Sequence, residues 1–378
     1  MLELKTTGIQ AQTISVIVPC RNEREHIDVF CASVIEQQIP SGWDLEVLIA
    51  DGMSDDGTRE RLSHWVREDP RFVLIANPGR IVSTGLNRCI ERAKGRFIVR
   101  LDVHTVYAHD YIEQCLKTWQ RTGADNVGGP WRAMGMPGQP VQQAIAAAFQ
   151  SRLVAGGALS RDLDYEGEVD TVYLGSWPRE TFERFGGFDE TLVRNQDDEH
   201  NLRIHKGGGR IWQSALIRST YHPRASIIDV FRQYRQYGYW KPFVMKKHGQ
   251  AAALRHLVPG LFVAALVSLI AMVLVFGGLT LVAQPATTLR WVAAWGTAIS
   301  AVMLMALTLT YGLAVGLVSL SISRELGWRL LGLLPDVIAA YHVGYGLGSI
   351  RGWLDVWGRG RPNPSFGRLT RGNANHRT

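Results

Sequence analysis

Two short acidic segments carry side chains that could bind a metal ion and accept a proton. Asp102 and His104 stand in Asp-Val-His, and Asp197 stands in Asp-Asp-Glu. In an extended segment, residues two positions apart face the same side, so Asp102 and His104 could share one divalent cation. One oxygen ligand with one nitrogen ligand suits Mn²⁺ or Mg²⁺, whose usual task is to neutralise a diphosphate. The Asp197 carboxylate could take the proton of an attacking hydroxyl, although residues 197–199 are also typical of a solvated acidic helix start.

A third carboxylate, Asp51, ends an apolar run and begins the segment DGMSDDGT. At the end of a strand, a carboxylate can accept hydrogen bonds from a base or a ribose, and Gly52 and Gly57 let the backbone turn tightly. Residues 54–57 are also typical of an ordinary turn followed by a helix N-cap. Both interpretations of this segment stay open at this point.

Short β-branched runs alternate with helical patterns in the first third of the chain. The predicted strands are 14–19, 45–50, 72–76 and 97–101, and the predicted helices are 24–38, 58–68 and 82–93. This alternation is typical of βαβ units, which form a parallel sheet with helices on both faces. Ligands of such α/β sheets bind beyond the carboxyl ends of the strands, where residues 19–23, Asp51 and Asp102 would meet.

The composition and the motifs of the chain argue against several classes of protein. The chain has 378 residues and no glycine-rich phosphate loop of the dinucleotide or P-loop type, which argues against an oxidoreductase or a P-loop NTPase. None of the four cysteines forms a C-x-x-C pair, which favours buried thiols in a reducing compartment. The net charge is +7, and residues 228–256 and 351–378 carry six Lys or Arg against one Asp each. Because both basic runs flank apolar blocks, they indicate lipid headgroups and not nucleic acid.

Two uncharged apolar blocks follow the predicted α/β region, at 257–283 and 291–322. About 20 apolar helical residues cross a bilayer, so each block predicts a transmembrane helix. A third segment, 328–350, contains Pro335, Asp336 and His342, and leaves a span, a re-entrant segment and an interfacial helix open. The first residues are polar, so we expect no signal peptide and a catalytic domain on the cytoplasmic side.

The order of the motifs resembles that of a family 2 glycosyltransferase of the GT-A fold, over roughly residues 12–250. Residues 50–58 resemble the nucleotide segment of that family, and residues 99–104 resemble its metal motif with His104 in place of an Asp. The other matching segments are 14–23, 186–189, 195–201, 221–224 and 233–240. The resemblance implies a Rossmann-like, mostly parallel α/β catalytic domain with C-terminal transmembrane helices.

The resemblance also implies a role for each matching residue. The residues implied at the nucleotide sugar are Pro19, Asn22, Glu23, Asp51 and Asp102. The metal ligands are Asp102 and His104, the catalytic base is Asp197, and its supporting residues are Gln196, Asp198 and Glu199. The residues at the acceptor entry and membrane interface are Arg224, Gln233, Tyr237 and Trp240, which could instead pack the domain onto the membrane.

Five regions follow from these observations. They are an extension at 1–13, the catalytic domain at 14–225, a basic and aromatic interfacial segment at 226–256, the membrane module at 257–350 and a basic tail at 351–378. The sequence therefore predicts a multi-pass protein of the bacterial inner membrane.

The most similar members of the family build exopolysaccharide such as succinoglycan on a polyprenyl diphosphate carrier. The resemblance implies an inverting, metal-dependent transferase that moves a hexose, with glucose expected, from a UDP-sugar to a polyprenyl-diphosphate-linked saccharide. Its partners would be the lipid bilayer and other polysaccharide-assembly proteins, with no nucleic acid. The alternatives are a polyprenyl-phosphate sugar synthase, a processive synthase and an inactive membrane-bound scaffold that binds sugar nucleotides.

Overall fold

The computed structural model of the protein describes residues 12–251 and 253–367. The described chain divides into two compact units. The first contains residues 12–134 and 158–222, and the second contains residues 135–157 and 223–366. The sequence did not indicate that residues 135–157 group with the C-terminal helices. The domain boundaries predicted above stay a prediction.

The first unit is built around an eight-stranded mixed sheet. The strands of this unit are β1 Gln12–Cys20, β2 Trp43–Asp51, β3 Phe72–Ala76, β4 Phe97–Arg100, β5 Thr105–Tyr107, β6 Asn126–Gly129, β7 Gly167–Glu168, β8 Tyr173–Pro178, β9 Ile211–Gln213 and β10 Ser219–Tyr221. The sheet order is β3-β2-β1-β4-β8-β6-β9-β7, and β5 pairs with β10 in a separate ribbon. Strands β1 to β4 are parallel, whereas β8 runs antiparallel to both β4 and β6. The predicted α/β fold is confirmed.

Helices cover both faces of this sheet, as the alternation of elements predicts. The helices of the first unit are α1 Ile27–Ile35, α2 Thr58–Glu68, α3 Val82–Arg92, α4 Tyr111–Thr122, α6 Arg179–Phe185 and α7 Gln196–Lys206. Within β1, Val16 and Val18 belong to a core that includes α1, and Ile17 belongs to a separate core that includes α3. A strand that buries side chains on both faces is an interior strand of a covered sheet.

The second unit is helical. Its helices are α5 Pro140–Gln150, α8 Ile227–His248, α9 Val258–Val282, α10 Thr288–Leu326 and α11 Leu334–Gly358. Two segments of this unit, Leu254–Val282 and Thr288–Leu326, are long and apolar enough to cross a membrane. They coincide with the two blocks that the sequence predicts to span.

Helix α11 contains most of the third apolar segment of the sequence and packs closely against α8. A Cβ atom at Gly348 would lie 2.1 Å from the carbonyl oxygen of Arg235, so only glycine permits this approach. Near the end of α11, the buried Asp355 accepts a hydrogen bond of 2.8 Å from the Tyr239 hydroxyl. Whether residues 328–350 cross a membrane stays a prediction.

Candidate active site

The carboxyl ends of β1, β2 and β4 lie together at one edge of the sheet. Cys20 at the end of β1 pairs with Asp51 at the end of β2, and Pro19 pairs with Ala50. The loops that follow β1 and β2 are joined by hydrogen bonds. The Asn22 backbone N–H donates to Ser54 Oγ at 2.9 Å, and the Glu23 N–H donates to Thr58 Oγ1 at 2.8 Å. The structure thus brings Pro19, Asn22, Glu23 and Asp51 together.

The Asp51 side chain is fully buried and shapes the loop that follows it. Its Oδ1 atom accepts from the Ser54 N–H at 3.1 Å, and its Oδ2 atom lies 2.9 Å from Nη1 of Arg59. The Ser54 bond ties the Asp51 side chain to the backbone three residues on, so Asp51 contributes to the shape of this loop. A role of Asp51 at the nucleoside stays a prediction.

Asp102 follows β4 at the same edge and forms an ion pair with Arg100. Nε of Arg100 lies 3.1 Å from Oδ1 of Asp102, and Nη2 lies 3.2 Å from Oδ2, so the contact is a two-point fork. Arg100 is buried, and burial alone would lower its pKa. The carboxylates of Asp102 and Asp197 outweigh the effect of burial and raise the pKa of Arg100. Two acidic residues that are distant in sequence therefore act on one guanidinium group.

His104 lies beside the loop that follows β1. Its Nδ1 atom is 3.6 Å from Oε1 of Glu23, a distance that permits an ion pair but is too long for a hydrogen bond. The next residue, Thr105, shares a hydrogen bond of 2.8 Å with the buried Tyr173 hydroxyl of β8. Strand β8 therefore supports the segment that carries Asp102 and His104.

The donor atoms at this edge are oxygen and nitrogen, the types that can bind a metal ion shared with a substrate. Residues 103–104 form a turn, in which the Thr105 N–H donates to the Asp102 carbonyl oxygen at 3.2 Å. The segment is therefore not extended as expected from the sequence, and strand alternation does not put Asp102 and His104 on one side. In the described ranges, no group of three or more His, Cys, Asp or Glu residues could hold a metal ion. Mg²⁺ is commonly bound through one or two protein ligands plus substrate phosphates, so a larger protein cluster is not required. The Asp102 side chain is 19% exposed and that of His104 is 37% exposed, whereas Val103 between them is buried. Metal dependence stays a prediction.

The acidic run at the start of α7 divides into exposed and buried members. Asp197 and Asp198 are partly exposed, whereas Gln196 and Glu199 are buried. Both oxygens of Glu199 lie 3.0 Å from Nε of Arg203, and that guanidinium also donates to the carbonyl oxygens of Phe185 and Gly187. Glu199 thus supports the loop at residues 185–187 through Arg203, while Asp197 and Asp198 stay partly exposed.

The four residues predicted at the acceptor entry belong to the second unit. Arg224 precedes α8 and is partly exposed, and Nε2 of Gln233 donates to the Tyr237 hydroxyl at 3.1 Å within α8. Trp240 is only 2% exposed, and its Nε1 atom lies 3.3 Å from the carbonyl oxygen of Phe366. Trp240 is therefore buried within the second unit, and the roles predicted for all four residues stay predictions.

Some residues in contact with this site were not singled out by the sequence analysis. They are Arg59, Arg100, Thr105 and Tyr173. The sequence does contain a signal for Arg100, since this charged residue interrupts the predicted apolar strand 97–101. It stands two positions before Asp102, so its side chain is expected on the same side. Tyr173 carried no such signal, since the pairing of β8 with β4 depends on the fold.

Known proteins resemble this chain in sequence and in fold. The profile of the family described as Glycosyl transferase family 2 matches residues 15–168. Succinoglycan biosynthesis protein ExoA of Rhizobium meliloti (strain 1021) is 34% identical over 257 residues, which are 65% of this chain and 73% of that protein. A dolichyl N-acetyl-alpha-D-glucosaminyl phosphate 3-beta-D-2,3-diacetamido-2,3-dideoxy-beta-D-glucuronosyltransferase of Methanococcus voltae is 24% identical, over 62% of this chain and 74% of that protein.

A solved structure shares the fold. It is the mannosyltransferase PcManGT of Pyrobaculum calidifontis in complex with GDP-Man and Mn²⁺, with a TM-score of 0.54. The superposition covers 89% of this chain and 86% of that protein at 18% sequence identity. At this identity, the likeness supports the fold and not the substrate.

Proposed function

Because this chain belongs to glycosyl transferase family 2 and is similar to a succinoglycan biosynthesis protein, we propose that it is an inverting glycosyltransferase of exopolysaccharide synthesis. It moves a hexose, with glucose as the expected sugar, from a UDP-sugar to a polyprenyl-diphosphate-linked saccharide. One observation carries this proposal within the fold. The loops that follow β1, β2 and β4 meet at one edge of the sheet, where Nδ1 of His104 lies 3.6 Å from Oε1 of Glu23.

The leaving group of this reaction is a nucleoside diphosphate, and its charge must be neutralised as the glycosidic bond breaks. In our proposal, Asp102 and His104 would hold the Mn²⁺ or Mg²⁺ ion that supplies this neutralisation when it is bound. Glu23, whose Oε1 atom lies 3.6 Å from Nδ1 of His104, would help to orient the imidazole toward the metal. Pro19, Asn22 and Asp51 would face the nucleoside at the same edge of the sheet.

Asp197 would act as the general base. It accepts the proton of the acceptor hydroxyl while the hydroxyl oxygen bonds to the anomeric carbon and the bond from that carbon to the diphosphate breaks. Attack from the side opposite the leaving group inverts the configuration at the anomeric carbon. The backbone N–H of Asp198 donates to Oδ1 of Asp197 at 2.9 Å, and we expect this bond to orient the base.

The acceptor is inferred from the relatives. The name of the Methanococcus voltae protein specifies a saccharide linked to a lipid phosphate as its acceptor. The two apolar helices of this chain would keep such an acceptor and the enzyme in the same membrane.

The test of this function is product formation by the purified full-length chain in lipid nanodiscs with Mn²⁺. We expect UDP release from UDP-glucose that requires a polyprenyl-diphosphate-linked saccharide. Transfer to bare polyprenyl phosphate would support the sugar synthase instead, and no nucleotide release from any donor in a panel of UDP-, GDP- and dTDP-sugars would contradict a transferase.

For location, we propose a multi-pass protein of the bacterial inner membrane with a cytoplasmic catalytic domain. Basic residues are frequent in cytoplasmic loops, and a basic run precedes α9. Reporter fusions at about residues 250 and 287 should report the cytoplasmic and periplasmic sides, respectively. A periplasmic signal from the fusion at residue 250 would contradict this topology.

A further inference from the structure

Arg100 occupies an unusual position for a charged residue. It is the last residue of β4, whose other three residues are fully buried hydrophobic residues, and it is itself only 6% exposed. Its Nε and Nη2 atoms bind Asp102, whereas its Nη1 atom is buried and has no hydrogen-bond partner among the described residues. A buried donor without a partner costs free energy, so a position of this kind calls for a reason other than packing.

Stability is a weak reason for such an arrangement. A buried ion pair often stabilises a protein no more than apolar residues of similar volume, because both charges lose their hydration. The fork instead fixes geometry, since two parallel contacts hold the Asp102 carboxylate in one plane. Arg100 therefore sets the orientation of the donor-side acid of the proposed reaction.

We propose that Arg100 is a positioning residue for glycosyl transfer, which fixes the orientation of the Asp102 carboxylate by its fork. This inference rests on the proposed function and adds a third residue to it. The fork leaves the Asp102 carboxylate one orientation toward the leaving diphosphate and the cation that would neutralise it. Arg100 thereby keeps the donor-side acid in the placement that the displacement needs. Its Nη1 atom is the donor still available for a further contact when substrate enters.

The chain contains a matched control for this contact. Arg71 and Asp69 have the same spacing as Arg100 and Asp102, and Nε and Nη2 of Arg71 bind both oxygens of Asp69 at 2.6–3.0 Å. That second fork lies just before β3, at the opposite edge of the sheet. Arg71→Lys therefore changes the same chemistry away from the candidate site.

The experiment compares Arg100→Lys with Arg71→Lys in the full-length chain. Lysine keeps the charge but cannot form the fork, so we expect kcat to fall about 100-fold, as for a misplacement of about 1 Å. The control should keep kcat within about twofold. The affinity for UDP without a divalent cation should also stay within about twofold, because the nucleoside residues are unchanged. Calorimetric titration with UDP measures this affinity, and thermal unfolding reports folding.

A double variant separates positioning from a purely structural role. If Arg100 acts through the Asp102 carboxylate, Arg100→Lys should cost less than about threefold in an Asp102→Ala background, because coupled residues are not additive. The proposal is wrong if Arg100→Lys keeps wild-type kcat, if its loss is fully additive with Asp102→Ala, or if cation-free UDP affinity falls in parallel with kcat.

Two safeguards keep the result decisive. If Arg100→Lys does not fold, Arg100→Gln, which is neutral and retains a donor to Asp102, replaces it under the same criteria with an equal or larger expected loss. The wild-type chain distinguishes the two proposals. An inactive wild type with every donor contradicts the proposed function, whereas an active wild type beside an equally active Arg100 variant contradicts only the role of Arg100.

Discussion

Two acid–arginine forks of the first unit have the same spacing and nearly the same acid exposure, yet they lie in opposite settings. The Asp69 and Asp102 side chains are 16% and 19% exposed. Their arginines differ, because the Arg71 side chain is 38% exposed and that of Arg100 is 7% exposed. Asp69 precedes β3, whereas Asp102 follows β4 at the carboxyl edge where Asp51 and Asn22 meet. The two forks thus differ in their position in the sheet and in the burial of the cation, more than in the ion pair itself, and we propose a role in chemistry only for the fork of Arg100.

We expect the largest loss of rate when the acid of the Arg100 fork is replaced, and almost no loss when the acid of the Arg71 fork is replaced. Asp102→Ala should lower kcat by about 10³-fold or more, because the variant loses the proposed metal ligand and the charge neutralisation of the leaving diphosphate. Excess EDTA should abolish wild-type turnover for the same reason, and added Mn²⁺ should restore it. Asp69→Ala is the control and should keep the wild-type rate within about twofold. Full turnover in EDTA, or equal rates for the two variants, would remove the metal from the mechanism.

A third acid–arginine pair extends the comparison to stability. Glu199 is fully buried and bonded to Arg203, so Glu199→Gln leaves an uncompensated cation and should lower the free energy of unfolding by about 3 kcal/mol. The rate per folded enzyme should change less than about threefold. Glu113→Gln on α4 is the matched control, since its pair with Lys117 is a helix-surface pair worth less than about 1 kcal/mol. A normal unfolding midpoint together with a large rate loss for Glu199→Gln would place Glu199 in the chemistry instead.

Much of the parallel half of the fold could be predicted from local pattern. Helix α2 and strand β3 were predicted with the bounds that the structure shows, because proline, glycine and acidic residues flank both elements in the sequence. Strand β8 could not be predicted, since its sequence YLGSWP contains a glycine and a proline and lacks alternation. Its place between β4 and β6 arises from long-range pairing, which no local pattern encodes.

The candidate site also has a part that the sequence predicts and a part that only the fold shows. The rule that strand ends meet at one edge was enough to group Asn22, Asp51 and Asp102. The spacing of Glu199 and Arg203 is that of a helical ion pair, but only the fold shows that this pair is buried and supports a loop. The electrostatic effect of Asp197 on Arg100 joins residues that are far apart in the sequence, and sequence spacing carries no information about it.

The central claim is that Asp197 is the base of a transfer reaction in which the partly exposed acids act on substrate. The most direct test measures kcat and donor binding for Asp197→Asn and Asp198→Asn in the same membrane preparation. Asparagine keeps the size and most hydrogen bonds but cannot accept the proton, so Asp197→Asn should lose about 10²–10⁴-fold in kcat with little change in donor affinity. Asp198→Asn should lose less than about tenfold. A near-normal rate for Asp197→Asn beside a collapsed one for Asp198→Asn would move the base by one residue, and near-normal rates for both would contradict a base in this segment.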